Sequence, residues 1–168
     1  MQEEQALLTE EIRKLIGSPR KTITDLPAQA TDIARYCEAT GETNPLFTDV
    51  GYARGTPYGG PIAPPAFYLA AYMLAPGAFK PVPPGATIEE LQEIADLLPV
   101  KRPLDARLKV EFKAPIRPED VLTRESRIAD IVERETKVGR GLFVTIENTI
   151  INQQGQEICR EIQEFLFY

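Results

Sequence analysis

Residues 64–74, Pro-Pro-Ala-Phe-Tyr-Leu-Ala-Ala-Tyr-Met-Leu, are apolar on nearly every side of a helix and open with two prolines. Paired prolines suit a first helical turn, where the backbone N–H groups have no intrahelical partner. A helix without a polar face has to be enclosed by other elements, and the elements that could enclose it follow in the chain. Leu108, Val110 and Phe112 alternate with Lys109, Glu111 and Lys113, the period-2 pattern of a strand with one buried and one wetter face. Three further strand candidates cover Val121–Glu133, Leu142–Asn152 and Glu157–Phe167. Gly139-Arg140-Gly141 and Asn152-Gln153-Gln154-Gly155 supply the connecting turns, so these strands are antiparallel neighbours. An apolar helix followed by alternating strands predicts an α+β architecture: a curved antiparallel sheet of about five strands wrapped around a central helix.

The rest of the chain is shorter elements. Gln5–Ile16 sets Leu8, Ile12, Leu15 and Ile16 on one helical face and stops at Gly17-Ser18-Pro19, which predicts an outlying N-terminal helix. Lys21–Leu26 alternates briefly and is the candidate first strand. Thr31 or Asp32 is placed to cap a helix carrying Ile33, Tyr36, Cys37 and Thr40, and a loop over Glu42–Asp49 follows it. Pro76–Gly85 reads as a Pro/Gly-rich loop. Thr87-x-x-Glu90 has the capping-box pattern for a short helix with Leu91, Ile94, Leu97 and Leu98, closed by Pro99.

Composition narrows the function classes. With 168 residues, 43% of them hydrophobic and 26% charged, the chain is the size of one domain and has a core to bury. A net charge of −6 argues against nucleic acid, which calls for a clustered basic surface. No apolar run reaches the ~18 residues of a membrane span, and Met1-Gln2-Glu3-Glu4 is the opposite of a basic leader; a cytoplasmic protein is the expectation. Cys37 and Cys159 lack metal-ligand or redox spacing, and the chain has no His, so both read as buried small hydrophobes rather than a zinc site or a disulfide.

The stretch Gly41-Glu42-Thr43-Asn44-Pro45-Leu46-Phe47-Thr48-Asp49, followed by Ile62-Ala63-Pro64-Pro65-Ala66-Phe67, resembles the active-site segment of the MaoC-like, R-specific enoyl-CoA hydratases with its chemistry removed. In that family the pattern Gly-Asp-x-Asn-Pro-Leu-His supplies an Asp and a His that activate water. A backbone N–H in Ile-x-His-Gly polarises the thioester carbonyl. Here the Asp position is Glu42, the His position is Phe47 and the oxyanion Gly position is Pro65. Phe47 has no proton to give or take, whereas hydration needs a general base and a proton donor. Pro65 has no N–H with which to stabilise an enolate oxygen. The form Asn-Pro-Leu-aromatic, then Ala-Pro-Pro, is similar to the FAS1-like dehydratase N-terminal domains over about residues 17–75. Phe112-x-x-Pro115-x-x-Pro118-x-Asp120 fits that family's Phe-x-x-Pro-x-x-Pro-Gly-Asp with Glu119 in place of Gly.

The resemblance implies a hotdog fold: a single domain over 1–168, with 1–17 an N-terminal arm and 76–103 an insertion. It implies a non-catalytic, acyl-binding subunit, with Asn44, Phe47, Ile62 and Phe67 facing the acyl group, beside a MaoC-like subunit that carries the intact Asp and His. An open sheet edge also predicts pairing with a second hotdog, either that subunit or a second copy. No cofactor or metal is implied; coenzyme A arrives as part of the substrate thioester, unless the acyl group rides on an acyl-carrier protein. The alternatives are an independent homodimeric hydratase or thioesterase using Glu42 or Asp49, and a regulatory acyl-CoA-binding hotdog. Read from its residues alone, Asn44-Pro45 is a turn start, Glu42 a solvated or structurally bonded loop carboxylate, and Asp49 a cap or ion-pair partner. Phe47 is core or the wall of an acyl tunnel. Lys101, Arg102, Arg107, Lys109 and Lys113 could meet the phosphates of coenzyme A, though a charged outer strand face is the commoner meaning. The glycines of 51–60 lack the spacing of a phosphate-binding loop.

Overall fold

The computed structural model of the chain describes residues 6–71, 89–137 and 139–168. A five-stranded antiparallel sheet organises it, from β1 (Pro19–Thr24), β2 (Pro103–Phe112), β3 (Thr123–Thr136), β4 (Gly139–Ile151) and β5 (Glu157–Phe167), in the spatial order β1-β3-β4-β5-β2. Its helices are α1 (Glu10–Arg13), α2 (Ala30–Thr40), α3 (Pro45–Thr48), α4 (Val50–Arg54), α5 (Tyr68–Ala71) and α6 (Glu89–Leu97), with a 3-10 turn at Pro65–Phe67 leading into α5. The predicted α+β sheet of about five antiparallel strands around a helix is what forms, and the fold is a hotdog.

Register explains where the core sits. Opposed residues of an antiparallel ladder share a face, so Ile150 opposite Cys159, Asn148 opposite Glu161, Val144 opposite Phe165 and Leu142 opposite Phe167 run along one side of β4 and β5. Two apolar clusters lie on the fold. One joins Ile33 and Cys37 of α2, Phe67, Tyr68 and Ala71 to Ile150 and Cys159; the other joins Ile12 of α1 and Ile94, Ala95 and Leu98 of the α6 segment to Leu142, Val144, Phe165 and Phe167. The arm and the helical insertion therefore share one cluster.

Several boundaries differ from the sequence reading. The N-terminal helix is α1 alone, because the Thr9 hydroxyl accepts from the N–H of Ile12 and starts the helix late. The first strand begins at Pro19, paired with Arg127, and ends before Leu26. Neither Thr31 nor Asp32 caps α2: both lie inside it after Gln29, and Asp32 pairs instead with Arg35 at 3.6 Å. The Glu42–Asp49 loop contains α3 and runs into α4. Of the predicted helix Pro64–Leu74, the first turn is 3-10, and residues 72–74 lie outside the described residues. The Pro76–Gly85 loop and Thr87 lie outside them as well.

The largest departure is β2. Leu108 and Phe112 were expected on a buried face, yet they are 50% and 49% exposed. The strand is the terminal one of the sheet, bonded to β5 on one side only, and its alternation reports a face that nothing among the described residues fully covers.

Candidate functional site

The loop at the end of α2 is held by its own side chains. Gly41 adopts φ 68° and ends the helix, after which the N–H of Glu42 donates to the carbonyl of Cys37 at 2.8 Å. The Glu42 carboxylate accepts from the N–H of Asn44 at 2.8 Å, and the Asn44 side-chain oxygen accepts from the N–H of Leu46 at 3.0 Å. Asn44 thus caps α3, with Pro45 as its first residue. Asp49 does the same for α4, its carboxylate accepting from the N–H of Tyr52 at 3.0 Å. Both carboxylates once considered as bases are employed on backbone amides.

Phe47 is half-buried and packs against the cluster containing Cys37 and Phe67. Asn44 and Pro65 are exposed, while Ile62 and Phe67 are 5% and 1% exposed. Phe67 meets Tyr36 edge-on, with ring centroids 5.5 Å apart. The structure therefore brings Glu42, Asn44 and Phe47 together in one loop and sets Ile62 and Phe67 beneath the surface. Cys37 and Cys159 are free and buried; burial pushes the Cys37 thiol up, with the Glu42 carboxylate adding to it. Within the basic run, the Lys101 ammonium donates to the carbonyl of Ala95 at 2.7 Å and Lys113 pairs with Glu111 at 3.1 Å. Arg107 and Lys109 are exposed on β2.

A polar chain that the sequence reading missed crosses the same side of the sheet. The Ser126 hydroxyl donates to the Asn148 side-chain oxygen at 2.6 Å, and the Asn148 amide donates to Glu161 Oε1 at 2.7 Å. The Tyr68 hydroxyl donates to Glu161 Oε2 at 2.6 Å. Glu161 is 4% exposed and Asn148 is 7% exposed. Burial, then the hydrogen bond to Glu161, hold the Tyr68 phenol far above its ordinary range, so it stays a donor. The signal was present: in Cys159, Glu161, Gln163, Phe165, Phe167, two polar residues occupy the inward row of a strand whose other members are core.

Among the described residues no helix is long and apolar enough to cross a membrane, and no group of three or more His, Cys, Asp or Glu could hold a metal ion. Residues 14–161 match the family described as FAS1-like, dehydratase domain region. A "probable enoyl-CoA hydratase alpha subunit" from Thermomonospora curvata is 26% identical over 152 residues, covering 89% of this chain and 47% of the relative; the chain thus spans about half that protein's length. Among solved structures, the ChsH1-ChsH2 complex from Mycobacterium tuberculosis matches with a TM-score of 0.70 at 20% identity, covering 90% of this chain and 89% of that one. The unliganded R-hydratase PhaJ1 from Pseudomonas aeruginosa matches with a TM-score of 0.60 at 18% identity, covering 90% and 81%.

Proposed function

The chain belongs to the FAS1-like dehydratase domain family, of MaoC-like dehydratase type, and on that premise we propose that it is the non-catalytic, acyl-binding hotdog subunit of a heteromeric enoyl-CoA hydratase or 3-hydroxyacyl dehydratase. One observation carries the reading. At the family's catalytic positions the only carboxylate, Glu42, is engaged by the N–H of Asn44, beside a phenylalanine at the His position and a proline at the oxyanion position. Hydration of an enoyl thioester needs a base for water, a donor for the α-carbon and a donor for the developing enolate oxygen. These residues offer the last two no group at all, and no His elsewhere in the chain substitutes.

The partner supplies the missing Asp and His on a second hotdog, while Phe47 and Asn44 border the acyl group on this side. The subunit names carried by the Thermomonospora relative and the Mycobacterium complex support a heteromer. Free buried thiols fit a cytoplasmic setting. The test is a steady-state assay of the purified chain against crotonyl-CoA and longer enoyl-CoAs, alone and with a co-expressed MaoC-like hotdog subunit. The chain alone is expected to show little or no turnover and Phe47→His to restore little, because Pro65 remains. Robust turnover abolished by Glu42→Gln would overturn the reading.

A further inference from the structure

We infer that Glu161 is the positioning residue of this fold: through Tyr68 it fixes the start of the central helix, and with it the Pro65–Phe67 turn, over the sheet. The geometry is a relay anchored on regular structure. Ser126 stands opposite Asn148, and Asn148 opposite Glu161, in the ladders β3–β4 and β4–β5. Each neighbour donates to the next at 2.6–2.7 Å until the Tyr68 hydroxyl closes the row. Tyr68 is the first residue of α5 and follows directly on the turn that carries Pro65 and Phe67.

The need for such a tie comes from the prolines. Pro64 and Pro65 cannot donate, and the turn's backbone bonds include the N–H of Ala63 on the Ile116 carbonyl at 2.8 Å, the N–H of Phe67 on the Pro64 carbonyl at 2.9 Å and the N–H of Tyr68 on the Ala66 carbonyl. Of these, the first reaches another part of the fold. The phenol supplies a second tether, and both carboxylate oxygens are engaged, so the residue cannot turn without abandoning a buried partner. No buried side-chain polar atom among the described residues lacks a partner.

The functional consequence, that acyl affinity depends on Glu161 without contact, rests on the reading above; the positioning does not. Hydrogen–deuterium exchange on the full chain tests it. Tyr68→Phe is expected to speed exchange of the amides of residues 66–71 by about tenfold, the loss of one charge-assisted hydrogen bond, while β5 amides keep their native protection. Glu161→Gln, which can still accept from Asn148 and donate to the phenol oxygen, should hold exchange near native, and Glu161→Leu should reproduce Tyr68→Phe. Unchanged exchange at residues 66–71 in Tyr68→Phe, or a rise spread evenly over the sheet, overturns the proposal. Titration of the same proteins with butyryl-CoA separates the two readings: a native chain without affinity defeats acyl binding, and the exchange result still decides the positioning.

Discussion

Glu119 is the only non-glycine residue with positive φ, 71°, among the described residues, and it stands where the family's turn carries glycine. A side chain in the left-handed region costs roughly 1–2 kcal/mol, which glycine avoids. The turn holds Glu119 there because its N–H donates to the Ala28 carbonyl at 2.8 Å while Asp120 accepts from the N–H of Arg117 at 2.7 Å. Glu119→Gly is therefore expected to raise stability by about 1 kcal/mol, a rise in Tm of about 2–4 °C for a chain of this size, read by differential scanning calorimetry; a lowered Tm would contradict it. Cys159 sets a different expectation. Burial, with the Glu161 carboxylate next, pushes its thiol from 9.0 up to about 12. The folded state thus holds its proton longer than the unfolded state, so this contribution is complete below pH 9 and is lost as pH climbs from 9 towards 12. Tyr68 titrates in the same sense, its phenol raised by burial and by Glu161. Urea unfolding at pH 7 and pH 10 should show Cys159→Ala losing less stability over that interval than the native chain, by roughly 1 kcal/mol.

Among the elements, strands were legible and the start of α2 was not, for a physical reason. Period-2 alternation persists over whole strands, and Glu157–Phe167 was placed to the residue because Gly155 turns with φ 76° just before it. Helix starts depend on single side-chain bonds, and the Gln29 side chain makes no capping bond to α2, donating instead to Glu119, so nothing local in the sequence marks that start. Alternation in β2 gave the strand but not its exposure, because an edge strand and a central one share the same pattern. Where a motif marked candidate positions, the structure gathers Glu42, Asn44 and Phe47 in one loop. Glu161 stands out as a polar residue in an inward row, but its bond to Tyr68 was hidden because that partner lies 93 residues away. Close packing of β4 on β5 was equally invisible: a Cβ on Gly141 would lie 2.5 Å from the Leu166 side chain and 2.8 Å from the Phe167 carbonyl. Leu166 can turn aside, but the carbonyl belongs to the ladder. Gly141→Ala is accordingly expected to cost about 1–3 kcal/mol, seen as a lower urea midpoint with an unchanged slope; a midpoint equal to that of the native chain would refute the packing argument.

For the whole molecule, the open question is what covers the edge of the sheet. Along β2 one row of backbone groups bonds to β5, and no strand among the described residues meets the other row. Leu104, Leu108 and Phe112 are each about half exposed along that strand. A long edge with apolar side chains is a liability in an isolated protein unless another chain pairs with it or covers it. Arg107 opposite Glu164 and Lys109 opposite Ile162 blunt the edge on one face, yet Leu108 and Phe112 remain on the other. A second hotdog offers both a matching strand and an apolar face, and this is the arrangement expected of the proposed heteromer. Leu108→Lys gives a direct check. The residue is half in water, so the folded chain should lose no more than about 0.5 kcal/mol, whereas a charge set into a closed interface should weaken association at least about tenfold. Sedimentation velocity at micromolar concentration, with the co-expressed MaoC-like subunit, should show a complex of two hotdogs for the native chain and a shift to free subunits for Leu108→Lys. If the native chain sediments as a monomer under those conditions, or if Leu108→Lys leaves the complex intact, this edge is not where the partner binds.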